Sequence, residues 1–290
     1  MPQPGWAVFG FEGIGTSWEI STPGTLDTGQ RRRLLDVVEN YDAAWSRFRT
    51  DSLVAQAARD AGRYQMPDGA GTLGRLYRSL YRLSAGAMTP LIGGSLERLG
   101  YDADYSLRSR GTPLPAPQWD DVLDWQDTVL TTTAPVVLDI GAAGKGQLAD
   151  LLAAELRSQG ISEHFIDASG DLLNSGPVPV AVGLEHPYDP GRAIGTISLG
   201  AGALCASAAN RRAWGDGLHH VLDGTTGTPV RTIVATWALA GTAMTADALA
   251  TALFFVSGKA LEQDFEFSWL TVFSDGSAAY SAGFEGVLFE

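Results

Sequence analysis

Apolar and small residues alternate around glycines through residues 6–20, a spacing that predicts an opening strand or hairpin. From residue 28 to about 48, Leu34, Leu35, Val38, Tyr41, Ala44, Trp45 and Phe48 recur at helical spacing. Leu73, Leu76, Tyr77, Leu80, Tyr81 and Leu83 repeat that stripe in a second helix, which should stop near Gly86. Residues 100–118 are polar and hold Pro113, Pro115 and Pro117, so they read as a loop and a possible subdomain seam. Beyond them, 129–133 and 136–140 read as strands, 146–159 as a helix ended by Gly160, and 165–173 as a strand with a tight turn. Short strands are expected at 178–184, 194–199, 218–222 and 231–239. A helix is expected over 246–256 with Thr245 as N-cap, then a closing hairpin over 267–273 and 278–284. Helices and strands mix without a βαβ beat, and many strands are joined by turn-length links, which predicts an α+β fold. No repeat of 20–50 residues is visible, and 290 residues allow one large domain or two small ones.

Composition narrows the partners. Of 290 residues, 45% are hydrophobic and 9% aromatic, enough for a substantial core. With 33 acidic against 20 basic residues, the net charge is -13, which disfavours nucleic acid and anionic membrane. A polyanionic small ligand would need backbone amides, a metal ion or a few cations to offset that field. Cys205 is the one cysteine, so neither an intramolecular disulfide nor a multi-cysteine metal site is available. The start, Met1-Pro-Gln-Pro-Gly-Trp6, has no basic n-region, apolar h-region or lipobox cysteine, and no apolar run reaches membrane-spanning length. A cytoplasmic chain is therefore expected.

Several segments carry candidate chemistry. Leu138-Asp-Ile-Gly-Ala-Ala-Gly-Lys-Gly-Gln-Leu-Ala-Asp150 reads as a strand passing through a glycine-rich turn into a helix, a form that can present backbone N–H groups to a phosphate. It is not a Walker loop: Asp139 stands where a glycine is needed and Gly146 where a hydroxyl is needed. It also lacks Gly-x-Gly-x-x-Gly. In Met244-Thr-Ala-Asp-Ala-Leu-Ala-Thr-Ala-Leu253, Asp247 and Thr251 lie four apart on one helix face, a carboxylate and a hydroxyl suited to magnesium. Taken alone, Asp247 serves equally well to offset the helix dipole and Thr251 to bond back to a carbonyl. His219 and His220 are adjacent on an expected strand and so point to opposite faces; one is available for a ligand phosphate or proton transfer. Ile166-Asp-Ala-Ser-Gly-Asp171 reads as an acidic turn.

In order and spacing, these segments resemble the FAD:protein FMN transferases, the ApbE-type flavin transferases, over nearly the whole chain. The match runs through Gly15-Thr16, Ser46-Arg-Phe-Arg-Thr-Asp-Ser52 and Gly86-Ala-Met-Thr89. It continues through Asp139 to Asp150, Ser169-Gly-Asp171, His220-Val-Leu-Asp223 with Thr226-Gly227 and Pro229, and the intact Ala246 to Ala252. The resemblance implies a T-fold-like architecture and a reaction in which a Thr or Ser hydroxyl of an acceptor protein takes FMN from FAD, releasing AMP. It also implies Mg2+ held by Asp247, Thr251 and the Gly144 carbonyl. By the same likeness, Ala87, Met88, Thr89, Gly141 and Lys145 face FAD, His220 lies near the pyrophosphate, and His220 or Asp223 removes the hydroxyl proton. Thr89 replaces the usual acid, Ala206-Ser-Ala208 the common Thr-Ser-Gly, and Gly224-Thr225 a frequent Pro-Arg. Those departures keep two alternatives in view: an FAD pyrophosphatase, and a non-catalytic flavin-binding protein.

Overall fold

Alternation at a period of two settles the sheet first. In Gly202–Ala208, Ala203 and Cys205 face one way and Leu204 the other; in Ile233–Ala240, Thr236 and Ala238 oppose Ala235 and Trp237. A strand buried on both faces needs a layer on each side. The computed structural model, which describes residues 4–210, 213–215 and 217–289, supplies both layers. Residues 1–3, part of the stretch read for a leader, lie outside the described residues.

The elements that frame the site are the strands β1 (Ala7–Gly13) and β2 (Thr16–Thr22), then the helices α1 (Thr28–Trp45), α2 (Ala70–Leu83) and α3 (Gly144–Ser158). These are followed by β3 (Phe165–Asp167), β4 (Leu172–Asn174), β5 (Val180–His186), β6 (Asp189–Leu199), β7 (Gly202–Ala208) and β8 (Ile233–Ala240). Helix α4 (Ala243–Ala252) and strands β9 (Ser268–Phe273) and β10 (Ala278–Tyr280) close the series. The main sheet has eight strands in the order β1-β2-β3-β4-β7-β8-β9-β10, with every pairing antiparallel. Its helix-covered face holds the larger core, including Trp18, Leu34, Leu148, Leu152 and Leu249. The other face packs on a three-stranded sheet of Val287–Leu288, β6 and β5 through Phe165, Leu184, Ile197, Leu204 and Trp237.

Helix α4 lies deepest, between α3 and strands β7 and β8. Ala243, Ala246, Ala248, Leu249, Ala250 and Ala252 are all buried, so apart from Asp247 and Thr251 the helix packs on its neighbours, and its small side chains admit close ones. Gly146 of α3 is one such neighbour: a Cβ there would meet the Ala243 carbonyl oxygen at 2.1 Å and the Asp247 Cβ at 2.8 Å. The two helices also bond to each other. Asp150 accepts the Ala243 and Met244 N–H groups at 2.9 Å each, so a side chain of α3 caps the first turn of α4.

The mixed α+β class expected from the sequence is the one observed, and the opening and closing hairpins fall where alternation put them. Other expectations need correcting. Residues 136–140 run extended and bury Val136, Leu138 and Ile140, yet form no ladder among the described residues. Val136 N–H donates to Ala57, at the end of the short helix Leu53–Ala57, and Asp139 N–H to Pro90, at the start of the 3-10 turn Pro90–Ile92. The late helix begins three residues before 246, and its N-cap is Thr242, whose side chain accepts from Thr245 N–H. The strand expected over 218–222 is two short pieces, Leu218–His219 and Leu222–Asp223. Strand β7, in the middle of the sheet, was not foreseen: its small residues carry little β signal, and burial by α4 decides it.

Candidate active site

A cavity of about 890 Å³ opens between the main sheet, the β5–β6 hairpin, the glycine turn before α3 and the segments around 87–89 and 220–222. Ala87, Met88, Thr89, Gly141, Lys145, His220, Asp247 and Thr251 all line it. Gly144 and Asp223 are not on that wall. Gly144 is the buried first residue of α3, and Asp223 sits in the turn beyond His220, its Oδ1 accepting from the Thr225 N–H at 2.8 Å and hydroxyl at 2.6 Å.

The glycine turn is more committed than its sequence suggests. Gly141 N–H donates to Asp139 Oδ1 at 2.7 Å, and Ala143 and Gly144 N–H both donate to the Ile140 carbonyl. Gly146 N–H donates to Asp247 Oδ2 at 2.9 Å. Four amides of a phosphate-style loop are thus spent inside the protein. Asp139 is in turn held by Arg47, whose Nε donates to Oδ2 at 2.6 Å.

Lys145 reaches across to Asp171, with which it forms a hydrogen-bonded ion pair. Burial works against the lysine's charge, but Asp171 and Asp247 outweigh it and hold its pKa above the ordinary lysine value. Asp171 is 1% exposed and also accepts the Ala206 N–H, so the acidic turn 166–171 anchors a cavity side chain rather than merely reversing the chain. Around Asp247 the phenols of Tyr41 and Tyr77 are pushed well up, by burial first and by nearby carboxylates second. The Thr251 hydroxyl lies 3.1 Å from that of Ser207, the one hydroxyl retained in the substituted 206–208 segment.

The two histidines part as their positions on a strand require. His219 is buried with Nε2 against the Val230 carbonyl at 2.8 Å, and burial lowers its pKa; His220 faces the cavity. Behind His220, the 222–229 turn docks on the 86–89 segment through the Gly224 N–H, which donates to Ala87 at 2.8 Å. A Cβ at Gly224 would sit 2.6 Å from Thr89 Cγ2 and 2.7 Å from the Gly86 carbonyl, so this pairing of walls demands the glycine. The proline-rich stretch braces the same turn: Ala116 N–H donates to Gly224, and Leu114 lies directly over Gly227.

Among the described residues the cavity wall is acidic: Glu19, Asp139, Asp167, Glu185 and Asp247 line it, with Lys145 as their cationic side chain. Carboxylates placed this way repel a phosphorylated ligand, and a cation arriving with it would offset them. No group of three or more His, Cys, Asp or Glu able to hold a metal occurs among the described residues. One buried carboxylate and one hydroxyl a helical turn apart fit magnesium, which keeps waters and takes substrate phosphate oxygens rather than needing a full protein cage.

The antiparallel α+β fold that brings Lys145, His220, Asp247 and Thr251 to this cavity is similar to that of solved ApbE structures. The ApbE protein of Thermotoga maritima superposes with a TM-score of 0.80 at 24% identity, covering 96% of this chain and 97% of that one. The flavin transferase ApbE of Vibrio cholerae gives 0.77 at 21% identity, covering 97% and 98%. Residues 14–265 match the profile of the ApbE family, and the chain belongs to that family. A Rhodobacter capsulatus protein named FAD:protein FMN transferase is 29% identical over 261 residues, which cover 83% of this chain and 49% of that protein. A Vibrio cholerae protein of the same name is 31% identical over 125 residues, or 40% of this chain and 37% of that one. The chain thus spans about half or less of the length of these relatives.

Arg47, Asp150 and Ser207 lie in segments compared with the family above, but their site-building roles are not legible there, because each acts on a partner at least 44 positions away. No helix among the described residues is long and apolar enough to cross a membrane.

Proposed function

We propose that this chain is a magnesium-dependent FAD:protein FMN transferase acting as one ApbE-type unit. The observation that carries the reading is the convergence of Ala87, Met88 and Thr89, of Gly141 and Lys145, of His220, and of Asp247 and Thr251, from four separate stretches, on one acidic cavity of a size suited to a dinucleotide. The names of the relatives supply the reaction class.

In this reading the hydroxyl oxygen of an acceptor Ser or Thr bonds to the FMN phosphorus of FAD. The bond from that phosphorus to the bridging oxygen breaks, AMP departs with the bridging oxygen, and the hydroxyl proton passes to a base. His220 is better placed for that proton than Asp223, since it faces the cavity while Asp223 is tied to Thr225. Lys145, kept charged by Asp171, meets the phosphates, and Ala87, Met88, Thr89 and Gly141 shape the wall against FAD. Asp247 and Thr251, which line the cavity, would hold Mg2+, which when bound would offset the charge on the phosphoryl oxygens; the Gly144 carbonyl, the third ligand the resemblance implies, belongs to a residue off the cavity wall. The commitment of the turn's amides supports this division of labour: with few backbone donors left, anion binding falls to Lys145 and the metal.

The test is incubation of the full chain with FAD, Mg2+ and a panel of Thr- or Ser-bearing acceptor proteins, reading AMP and a flavin-fluorescent acceptor band on a denaturing gel. Asp247→Asn, which keeps an oxygen for Gly146 N–H but loses the charge, should lower AMP formation by about 10²-fold or more and raise the Mg2+ needed. Bound FAD with neither AMP nor labelled acceptor overturns the reading. Steady AMP release without acceptor replaces it with hydrolysis.

A further inference from the structure

Behind the cavity wall lies a buried cation that the transfer reaction, as drawn above, does not use. The Arg47 side chain is 4% exposed, while that of its partner Asp139 is 15% exposed and lines the cavity. Arg47 Nε donates to Asp139 Oδ2 at 2.6 Å, and Asp139 Oδ1 accepts the Gly141 N–H at 2.7 Å, so one carboxylate ties the arginine to the turn that opens α3. The Asp139 N–H, donating to Pro90, ties the same residue to the 87–89 wall. The guanidinium carbon lies 4.2 Å from the centre of the Phe48 ring and 5.0 Å from that of Tyr101, which also lines the cavity.

Stability alone accounts poorly for this arrangement. Both Nη atoms are buried without a hydrogen-bond partner among the described residues, and the second carboxylate, Glu97, stays at 3.9 Å. A buried guanidinium with donors unpaired is an expensive way to fill space that an apolar side chain would fill as well. What it uniquely supplies is a fixed positive charge directly behind a carboxylate that faces the ligand.

We propose that Arg47 is a positioning residue for dinucleotide binding. It holds Asp139 in the orientation that shapes the Gly141 turn, and it cancels the wall carboxylate that adjoins both the turn and the 87–89 segment. Without Arg47, Asp139 loses the cation that fixes its Oδ2, and Gly141 loses a rigidly held acceptor. The role rests on this cavity being the FAD site, so its test reads binding rather than transfer.

Full-length wild type, Arg47→Met, Arg47→Lys and the double variant Arg47→Met with Asp139→Asn are titrated with FAD by flavin fluorescence, and amide exchange at Gly141 is followed without ligand. Arg47→Met should raise the FAD Kd about tenfold or more, the equivalent of one charge-assisted hydrogen bond, and speed exchange at Gly141. The double variant removes the carboxylate charge together with the cation while its new side-chain amide keeps an oxygen for the Gly141 N–H, so it should bind FAD within about threefold of wild type and regain exchange protection. Wild-type affinity in Arg47→Met overturns the role, and so does a double variant as weak as Arg47→Met, which would mark Arg47 as packing only. Where Arg47→Met does not fold, Arg47→Lys carries the test: it keeps the cation without the fixed fork, and unchanged affinity together with unchanged exchange overturns the proposal. FAD binding without transfer sinks the transferase reading and leaves this test intact, whereas failure of the wild type to bind FAD sinks both.

Discussion

Gly146→Ala isolates the crossing of α3 and α4 on which the site is built. The added methyl would lie 2.1 Å from the Ala243 oxygen, 2.5 Å from its carbonyl carbon and 2.8 Å from the Asp247 Cβ. Carbon–oxygen contacts settle at about 3.3–3.6 Å, so the helices must part by about 1.2 Å, and two of the three obstructing atoms are backbone that cannot swing aside. Overpacking of this kind costs about 1–3 kcal/mol. Stretching the Gly146 N–H bond to the Asp247 carboxylate adds about 1.5–3 kcal/mol, and the better helix propensity of alanine returns about 1 kcal/mol. The net, about 1.5–5 kcal/mol, should lower the melting temperature of a chain this long by roughly 3–8 °C. Moving Asp247 by about 1 Å relative to the turn should also cost about 10²-fold in AMP formation at limiting Mg2+. Gly94→Ala is the control, because a Cβ there meets nothing within 4 Å; it should be neutral or slightly stabilising. A Gly146→Ala protein with wild-type melting and wild-type magnesium dependence would refute the close-crossing account.

Two further outcomes follow from the geometry. His164 is fully buried, its Nδ1 against the Ile161 carbonyl and its Nε2 against the Ser175 hydroxyl, and burial lowers its pKa to about 4. Neutral when folded and titrating near 6.5 when unfolded, it leaves stability intact above pH 6.5 and withdraws up to about 3 kcal/mol as pH falls from 6.5 toward 4. His164→Gln should therefore show a shallower loss of melting temperature over that window, and an unchanged slope would contradict the assignment. Gly224→Ala should push the His220 turn off the 86–89 segment, raising the FAD Kd about tenfold in a fluorescence titration; wild-type affinity would show that the two walls need not touch.

Much of the site was readable in one dimension because the chemistry sits in short local runs. The four-residue step between Asp247 and Thr251 places both on one helix face whatever surrounds it, and both face the cavity. The separation of His219 from His220 likewise needed only the geometry of an extended chain. The turn at 139–146 was recognisable by its glycines, but its role was not. Whether its amides are open to a ligand depends on Asp139, Ile140 and Asp247 accepting them, and Asp247 comes from a helix 101 residues away.

Local pattern determined the hairpins, the amphipathic helices, the α+β class and the residue types able to hold magnesium and phosphate, since all of these arise from spacing between near neighbours. Tertiary structure alone decided the rest. It made 136–140 an extended spacer rather than a strand by giving its N–H groups carbonyls of two short helical turns, and it made β7 a central strand by laying α4 over its small side chains. It also put Arg47 behind Asp139 and Asp171 beneath Lys145. The physical reason is common to all of these: a buried donor or charge takes whichever partner the packed layers bring within about 3 Å, and no sequence window spans 92 residues to name that partner.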